Sequence, residues 1–275
     1  MRVLVLGSSG QVGAYLVEYL EKNGHEVIEF DIERSSEEDL RLDTNSRLMM
    51  SMSYSDFVFF LAFDVGGSRY LSQYQNTFNF INNNCRIMAN VFKELEMHEK
   101  PFIFASSQMS NMNYSPYGVL KAVGELYTKS LKGRIVKFWN VYGIEHDMSK
   151  SHVITDFILK AKNTGVIDMM TDGEEEREFL YAEDCCRALE QIMYNYNEFD
   201  ENTELHITSF ESTKIIDVAR IIADHFGAIM VPSENKDSVQ MNKKNEPDKT
   251  ILTYWRPSTT IVEGINKVIE SMENE

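Results

Sequence analysis

The sequence predicts an α/β protein whose core is a doubly wound parallel sheet. Short apolar runs of strand length alternate with segments whose apolar residues recur at helical spacing, and this alternation begins at the first residue. Strands separated by helices of this length form right-handed βαβ units, in which the strands lie parallel. The 275 residues suffice for one large domain or two small ones with ample core.

The first half of the chain carries most of the predicted strands. "RVLVLG" is the first strand, and a helix over 11–23 follows, which Gly24 ends. The later strands of this half are "EVIEFD", "DFVFFLAF", "KPFIFASS" and "GRIVKFWNVYG". A helix over about 84–97 precedes "KPFIFASS", and another begins after it at Ser115, which can cap the helix with Pro116 at the first helical position.

After Gly143 the alternation loosens, which indicates a change of architecture. The predicted elements here are helices over 151–163, 183–197, 213–226 and 258–273 and strands at "ELHITS" and "AIMVP". The charge run Glu174–Glu176 is predicted to form a solvated turn, as such runs usually do. In the polar segment 233–250, the Asn/Lys-rich part over 234–249 is predicted to be a mobile loop.

The composition argues against several classes of function. The net charge of −16 disfavours nucleic acid or an anionic membrane as a partner, because both attract basic surfaces. No stretch approaches the roughly 20 apolar residues of a membrane span. Besides Cys85, the cysteines are the adjacent pair Cys185 and Cys186, which is poorly placed for an ordinary disulfide, so a reduced cytoplasm fits best. No metal site is predicted, because the nearest histidine pair, His146 and His152, reads as loop residues.

The glycines of "VLGSSGQVG" lie between the first strand and the first helix. Gly7 would allow the tight turn, Gly10 the close approach of a pyrophosphate to the helix N-terminus, and Gly13 the packing of the helix on the sheet. The spacing is GxxGxxG rather than GxGxxG, yet it occurs at the start of a βαβ unit, where a dinucleotide site requires it. These glycines predict a Rossmann-type dinucleotide-binding domain.

Two aspartates are candidates for contacts with the adenosine end of a dinucleotide. Asp31 ends the second strand in "EFDI", where a carboxylate accepts both ribose hydroxyls and repels a 2′-phosphate, so it favours NAD over NADP. Arg34 points weakly to the opposite preference. Asp43 in "RLDT" lies where a later loop could reach adenine, although a turn-forming aspartate explains it equally well.

A serine pair and a Tyr–Lys pair are candidates for the chemistry. Ser106 and Ser107 end the strand "FIFASS", at the sheet edge where ligands bind, although such a serine can also cap its own backbone. Tyr117 and Lys121 are four residues apart and share a helix face. A nearby ammonium favours the phenolate, whose ordinary pKa of about 10 is too high for a base at neutral pH. The alternative is an amphipathic helix with a half-buried tyrosine and a Lys121–Glu125 ion pair.

With these residues in this order, the sequence resembles the extended short-chain dehydrogenase/reductases, in particular the NAD-dependent nucleotide-sugar epimerases and dehydratases. The matching segments run nearly from end to end and are "GSSGQVG", "FLAF", the asparagine Asn84 at the opening of a helix, "ASSQ", "SPYGVLK", "FWNVYG", "DGEEEREFLYAEDCCRAL" and "YWRPSTTIVEGI". The resemblance implies a nucleotide-binding domain over 1–143 with a returning segment at about 178–205. A smaller C-terminal α/β substrate-binding domain would comprise 144–177 and 206–275.

The resemblance also assigns roles to individual residues. Tyr117 would be the general base, Lys121 would bind the nicotinamide ribose and tune Tyr117, and Ser107 would hold the reacting oxygen. Asn140 and Arg177 would contact the diphosphate of a nucleotide-sugar substrate, although Arg177 can instead pair with the glutamates beside it. The NAD-binding residues would be Gly7, Gly10, Gln11, Val12, Gly13, Asp31, Asp43, Leu61, Ala62, Tyr117 and Lys121. A homodimer is implied as well.

Two departures from the family pattern narrow the reaction. Dehydratases carry an Asp–Glu pair after the active-site serine or threonine, and here Gln108 and Met109 cannot transfer a proton. Ser107 and Tyr117 are only ten positions apart, so the substrate loop is short. Hydride chemistry remains, either 4-epimerization or simple reduction and oxidation of a sugar nucleotide or another carbonyl. A catalytically silent dinucleotide-binding protein is the third hypothesis.

Overall fold

The computed structural model describes residues 1–145, 147–237, 239 and 245–274. The strands are β1 (Arg2–Leu6), β2 (Glu26–Phe30), β3 (Phe57–Phe60), β4 (Phe102–Ser107), β5 (Arg134–Phe138), β6 (Asn140–Tyr142), β7 (Val166–Asp168), β8 (Glu176–Tyr181), β9 (Glu204–Ile207), β10 (Ser212–Lys214) and β11 (Ile229–Val231). The helices are α1 (Gln11–Lys22), α2 (Ser46–Tyr54), α3 (Ser68–Tyr74), α4 (Phe78–His98), α5 (Pro116–Ser130), α6 (Val153–Thr164), α7 (Ala182–Tyr194), α8 (Ile215–Phe226) and α9 (Ile261–Asn274).

A six-stranded parallel sheet confirms the predicted fold class. Its strand order is β2-β1-β3-β4-β5-β9, and every neighbouring pair is parallel. The chain moves outward in one direction from β1 to β2 and in the other from β1 through β3. The switch of direction beside β1 leaves a crevice at the carboxyl ends of the strands, where such sheets bind ligands.

Alternating side chains of the sheet pack against helices on both faces. Val3 and Val5 of β1 belong to a buried cluster with residues of α1 and α7. Leu4 and Leu6 belong to the opposite cluster, with residues of α2, α4 and α5. Burial on both faces explains why these strands read as continuous apolar runs rather than as alternating patterns.

A smaller group of elements follows the central sheet in the chain. β10, β8 and β6 form a three-stranded sheet, and β11 pairs with β7. A third apolar cluster joins α6, α8 and α9 to these strands. α7 and β9, which lie in the predicted returning segment, pack with the central sheet. The division into two domains remains a prediction.

Several elements differ from their predicted bounds. α4 begins at Phe78, six residues before the predicted start, because Thr77 caps it by accepting a hydrogen bond from the Phe80 N–H. The run "GRIVKFWNVYG" forms two strands in different sheets, since β5 ends at Phe138 and β6 begins at Asn140. α2 and α3 were not predicted, and Glu176 begins β8 instead of ending a turn.

Other predictions fall partly or wholly outside the described residues. Of the predicted mobile loop, positions 238 and 240–244 lie outside them, as does His146. No helix among the described residues is long and apolar enough to cross a membrane. No group of three or more potential metal ligands occurs in the described parts of the chain.

Candidate active site

A cleft of about 1500 Å³ lies at the carboxyl ends of the parallel strands. Its walls include the glycine loop after β1, the tip of β2, the segment after β3, the end of β4 and the start of α5. Residues of β6, α6 and β8 continue the wall on the side of the smaller sheets. The cleft thus joins the predicted cofactor residues to the predicted substrate residues.

The glycine loop is packed too tightly for side chains at two of its positions. Gly7 has a φ of +89°, and a Cβ there would lie 2.7 Å from the Ala62 backbone nitrogen. A Cβ on Gly13 would lie 1.9 Å from the Gly7 carbonyl oxygen. Gly10 is the N-cap of α1 and brings no side chain to that end of the helix. The open N-terminus of α1 can therefore hold a pyrophosphate, with Gln11 and Val12 beside it in the cleft wall.

Asp31 is held at the end of β2 by backbone donors. One carboxylate oxygen accepts from the Ser9 N–H and the other from the Glu33 N–H, both at 3.0 Å. Each oxygen keeps a further lone pair, so the carboxylate can still accept from ribose hydroxyls. Arg34 pairs with Glu29 at 2.8 Å and does not line the cleft. Arg34, whose charge weakly indicated NADP, is therefore paired outside the cleft.

The structure does not bring Asp43 into the cleft. The Asp43 carboxylate is 84% exposed and pairs with Arg86. Asp43 does not line the cleft, which corrects the prediction that it reaches adenine. Asp39, Leu40 and Arg41 line the cleft instead. Leu40 is buried in the core and anchors this turn. The motif "EDLRLD" contains both aspartates, and only the burial of Leu40 indicates which one faces the cleft.

The two serines at the end of β4 have different partners. The Ser106 hydroxyl donates to the buried carboxylate of Glu125. The Ser107 hydroxyl oxygen accepts from the Met109 N–H at 3.1 Å and is hydrogen-bonded to the Tyr117 side chain. Ser107 and Tyr117 therefore meet at one point of the cleft, as a pair that handles a single substrate oxygen would.

Tyr117 and Lys121 are brought together, but their ionisation differs from the expectation. Burial raises the pKa of Tyr117 to about 12, and the hydrogen bond with Ser107 opposes that rise. Burial lowers the pKa of Lys121 to about 7. The Lys121 ammonium donates to the Ala105 carbonyl at 2.6 Å and lies 3.8 Å from the ring centroid of Phe63. Lys121 alone does not lower the pKa of Tyr117, so the phenol is protonated at neutral pH.

The short segment between Ser107 and Tyr117 is packed into the protein. Met109 is buried and lines the cleft, whereas the Gln108 side chain does not line it and accepts from the Asn245 amide at 2.6 Å. A Cβ on Gly118 would lie 2.2 Å from the Met109 carbonyl oxygen, so α5 packs directly against this segment. The cleft wall next to Ser107 is thus a thioether, which transfers no proton.

Asn140 and Arg177 lie in the cleft wall near the smaller sheets. The Asn140 amide donates to the Glu178 carbonyl at 3.3 Å. The Arg177 guanidinium donates to the Glu176 carbonyl and pairs with the Asp237 carboxylate at 2.5 Å. The Asp237 carboxylate, 60 positions away, is therefore an ionic partner of Arg177.

Two features of the cleft were not anticipated from the sequence. Glu145 is buried, and its carboxylate binds the His152 ring nitrogen Nδ1 at 2.6 Å and the His152 N–H at 2.9 Å. Burial raises the pKa of Glu145, but the contacts with His152 outweigh burial and leave it lowered. Asn84 lies inside α4, not at its start, and its amide clamps the backbone of Asp64 beside the cleft. Neither contact follows from a local sequence pattern, although Glu145 and His152 are only seven residues apart and Asp64 and Asn84 only twenty.

Comparisons with known proteins agree with this geometry. A sequence model of the NAD dependent epimerase/dehydratase family matches residues 3–208. GDP-L-fucose synthase of Sinorhizobium fredii is 25% identical over 305 residues, covering 98% of this chain and 95% of that protein. UDP-glucuronic acid decarboxylase 1 of Xenopus tropicalis is 22% identical over 312 residues, covering 100% of this chain and 72% of that protein.

A solved structure has the same fold over its whole length. UDP-glucose 4-epimerase of Thermotoga maritima, solved with UDP-glucose, superposes with a TM-score of 0.81 at 20% identity. The superposition covers 100% of this chain and 99% of that chain. At this identity the likeness concerns the fold alone.

Proposed function

Because this chain belongs to the NAD dependent epimerase/dehydratase family, an enzyme family whose cofactor is NAD, we propose that it epimerizes a nucleotide-diphosphate sugar through a transient keto intermediate. One observation carries this proposal. Ser107 and Tyr117 are hydrogen-bonded in the same cleft as the glycine loop, while the neighbouring wall residue, Met109, has no proton to transfer. Such a site supports removal and return of hydride at one carbinol, without loss of water.

The proposed cofactor contacts follow the cleft wall. The N-terminus of α1 holds the pyrophosphate, Asp31 the adenosine ribose and Lys121 the nicotinamide ribose, with Leu61 and Ala62 beside it. When bound, NAD accepts a hydride and returns it. The Gly7 and Gly13 positions, where a Cβ would overlap backbone, support this fit, because they let the loop and α1 pack closely at the end of β1, as a dinucleotide loop requires.

The proposed reaction at the sugar uses Tyr117 and Ser107. Tyr117 takes the proton of a sugar hydroxyl as the hydride leaves the same carbon, which gives a ketone. Ser107 donates to the oxygen throughout. After the keto sugar rotates in the site, Tyr117 returns the proton as hydride adds to the opposite face of the carbonyl carbon. No net oxidation occurs. The high pKa of Tyr117 must fall for this step, and the positive charge of the oxidised nicotinamide favours the phenolate in this way.

Tyr117→Phe tests the proposal. We expect epimerization to slow by about two orders of magnitude or more, the effect of a lost general base, with NAD affinity nearly unchanged. Tyr114→Phe, the same change at a partly exposed residue three positions earlier, is the control. The substrate comes from a thermal-shift screen of UDP-, GDP-, CDP- and dTDP-sugars with NAD present. An unchanged rate would remove Tyr117 from the mechanism, and steady accumulation of NADH would favour a net dehydrogenase.

The Glu145–His152 pair favours a second candidate reaction. A carbon next to a transient ketone is acidic, and a histidine oriented by a carboxylate can exchange its proton. His152 and Glu145 line the cleft together with Tyr117. Epimerization at such a carbon would incorporate deuterium from D₂O into the product, whereas the hydride route incorporates none. His152→Gln would abolish the incorporation and leave the hydride route intact.

We further propose a cytoplasmic homodimer formed through α4 and α5. Large apolar side chains stand exposed on both helices, among them Phe78, Val119 and Leu126, and Leu126 is 68% exposed. The three cysteines are free thiols, which suits a reducing compartment. Leu126→Glu should shift the protein from dimer to monomer in light scattering. An unchanged mass would place the interface elsewhere or exclude a dimer.

A further inference from the structure

Three successive turns of α5 are bonded to the end of β4. Tyr117 is hydrogen-bonded to Ser107, the Lys121 ammonium donates to the Ala105 carbonyl, and Glu125 accepts from the Ser106 hydroxyl. Glu125 is therefore the third member of a row whose first two members are the proposed base and the proposed ribose-binding lysine. The proposed reaction assigns Glu125 no task.

Glu125 also connects to a buried cation behind the sheet edge. Its carboxylate lies 3.6 Å from the Lys137 ammonium of β5, which is wholly buried. Lys137 in turn lies 2.6 Å from the carboxylate of Glu204 on β9, whose side chain is 35% exposed. The path from Lys121 to the surface thus alternates in charge, with Glu125, Lys137 and Glu204 in sequence. His206 of β9 is a further titratable group, and the charges of Lys137 and Glu204 both affect its pKa.

Lys121 needs a compensating charge because its surroundings are apolar. Its ammonium is buried, forms no ion pair with any described residue, and contacts the Ala105 carbonyl and the Phe63 ring. Burial of an uncompensated ammonium favours its neutral form. Glu125 is the carboxylate that acts on Lys121 in the opposite direction. The Ser106 hydroxyl and Lys137 hold that carboxylate in its buried place.

We propose that Glu125 is a positioning residue that keeps Lys121 charged for cofactor binding and fixes the catalytic face of α5 against β4. This proposal rests on the proposed role of Lys121 in holding the nicotinamide ribose. A charged ammonium donates three hydrogen bonds, whereas a neutral amine donates two and carries no attraction for the ribose oxygens. NAD affinity should therefore fall at the pH where Lys121 loses its proton.

The experiment measures NAD affinity against pH by titration calorimetry from pH 6 to 9. For Glu125→Gln, which keeps the acceptor for Ser106 but removes the charge, the pH at which affinity declines should fall by about one unit. At pH 8 that shift corresponds to about tenfold weaker binding. Glu204→Gln, which removes the other carboxylate on Lys137, is the matched control and should leave the decline in place. In Glu125→Asp, which keeps the charge, NAD affinity should decline at the wild-type pH.

The outcomes separate this inference from the proposed function. If Lys121→Met binds NAD with the wild-type affinity and pH dependence, the role of Lys121 itself is wrong. If Lys121→Met loses that dependence but Glu125→Gln keeps the wild-type curve, Glu125 does not maintain the charge and the inference fails. An equal shift in Glu204→Gln, or in Glu125→Asp, would also overturn it, because neither change removes the charge at position 125.

A paired substitution guards against a folding defect in the single variant. Glu125→Gln leaves the buried Lys137 with one carboxylate, which destabilises the core if solvent cannot reach it. Glu125→Gln together with Lys137→Met removes both buried charges. The decline in NAD affinity should then still occur at lower pH than in Lys137→Met alone, and coincident curves would refute the inference.

Discussion

Replacing Lys121 by methionine should flatten the pH dependence of stability. Lys121 has a pKa of about 7 in the folded protein, because burial disfavours the charged form, against 10.5 for an exposed lysine. Between these values the unfolded chain binds a proton that the folded chain lacks. The free energy of unfolding therefore rises with pH in this window, by up to about 1.4 kcal/mol per pH unit. Below pH 7 both states are protonated and the slope disappears.

The magnitude can be worked out for a practical pH range. From pH 7 to pH 9 the single lysine contributes a gain of about 2 kcal/mol, since near pH 7 the folded state is still half protonated. Urea unfolding at pH 7, 8 and 9 without NAD measures the gain in wild type and in Lys121→Met. Other titrating groups are common to both proteins and cancel in the difference. The wild type should gain about 2 kcal/mol more than the variant.

A surface lysine provides the control for this experiment. Lys93→Met changes an exposed residue of α4, and its curve should run parallel to that of the wild type. Parallel curves for wild type and Lys121→Met would refute the reasoning, because they would mean that Lys121 keeps its proton in the folded protein throughout the range.

The remaining predictions concern the cofactor loop and the substrate side. Asp31→Ala should narrow the preference for NAD over NADP, measured as the ratio of the two dissociation constants; a constant ratio would reject this role. Gly13→Ala should abolish NAD binding in calorimetry, because its Cβ would lie 1.9 Å from the Gly7 carbonyl oxygen. Gly10→Ala, whose Cβ would lie 3.4 Å from the same oxygen, should still fold. Normal NAD binding by the Gly13 variant would contradict this account of the packing. Asp237→Asn should lower KM several-fold for an anionic substrate by releasing Arg177, with kcat little changed. A raised KM would show that Asp237 contributes to binding.

The parts of the site that depend on neighbouring residues in the chain could be predicted. The glycine loop is recognisable from its place between the first strand and the first helix, and Ser115 caps α5 by accepting from the Gly118 N–H, as its position indicates. Tyr117 and Lys121 share a face because a helix requires it. For such residues the local pattern and the fold agree.

Contacts that depend on the path of a loop could not be predicted in this way. The Arg177–Asp237 pair and the His152–Glu145 pair join residues whose approach depends on how the loops pack, and nothing in either motif names the partner. The expected tuning of Tyr117 by Lys121 was wrong for a related reason. Spacing places the two side chains together, but their pKa values depend on burial, which the Phe63 ring and the Ala105 carbonyl help to set.

The acidic protein still offers local cations to an anionic substrate, and three of the cations that line the cleft are paired with carboxylates. Arg69 pairs with Asp156, Lys150 lies 3.8 Å from Asp64, and Arg177 pairs with Asp237. A diphosphate that bound one of these cations would compete with the carboxylate that is paired with it. More distant carboxylates act through solvent and salt, which screen them beyond about 8 Å at physiological ionic strength. The net charge of −16 therefore acts mainly on the approach of an anionic ligand, whereas the carboxylates paired inside the cleft compete with it directly.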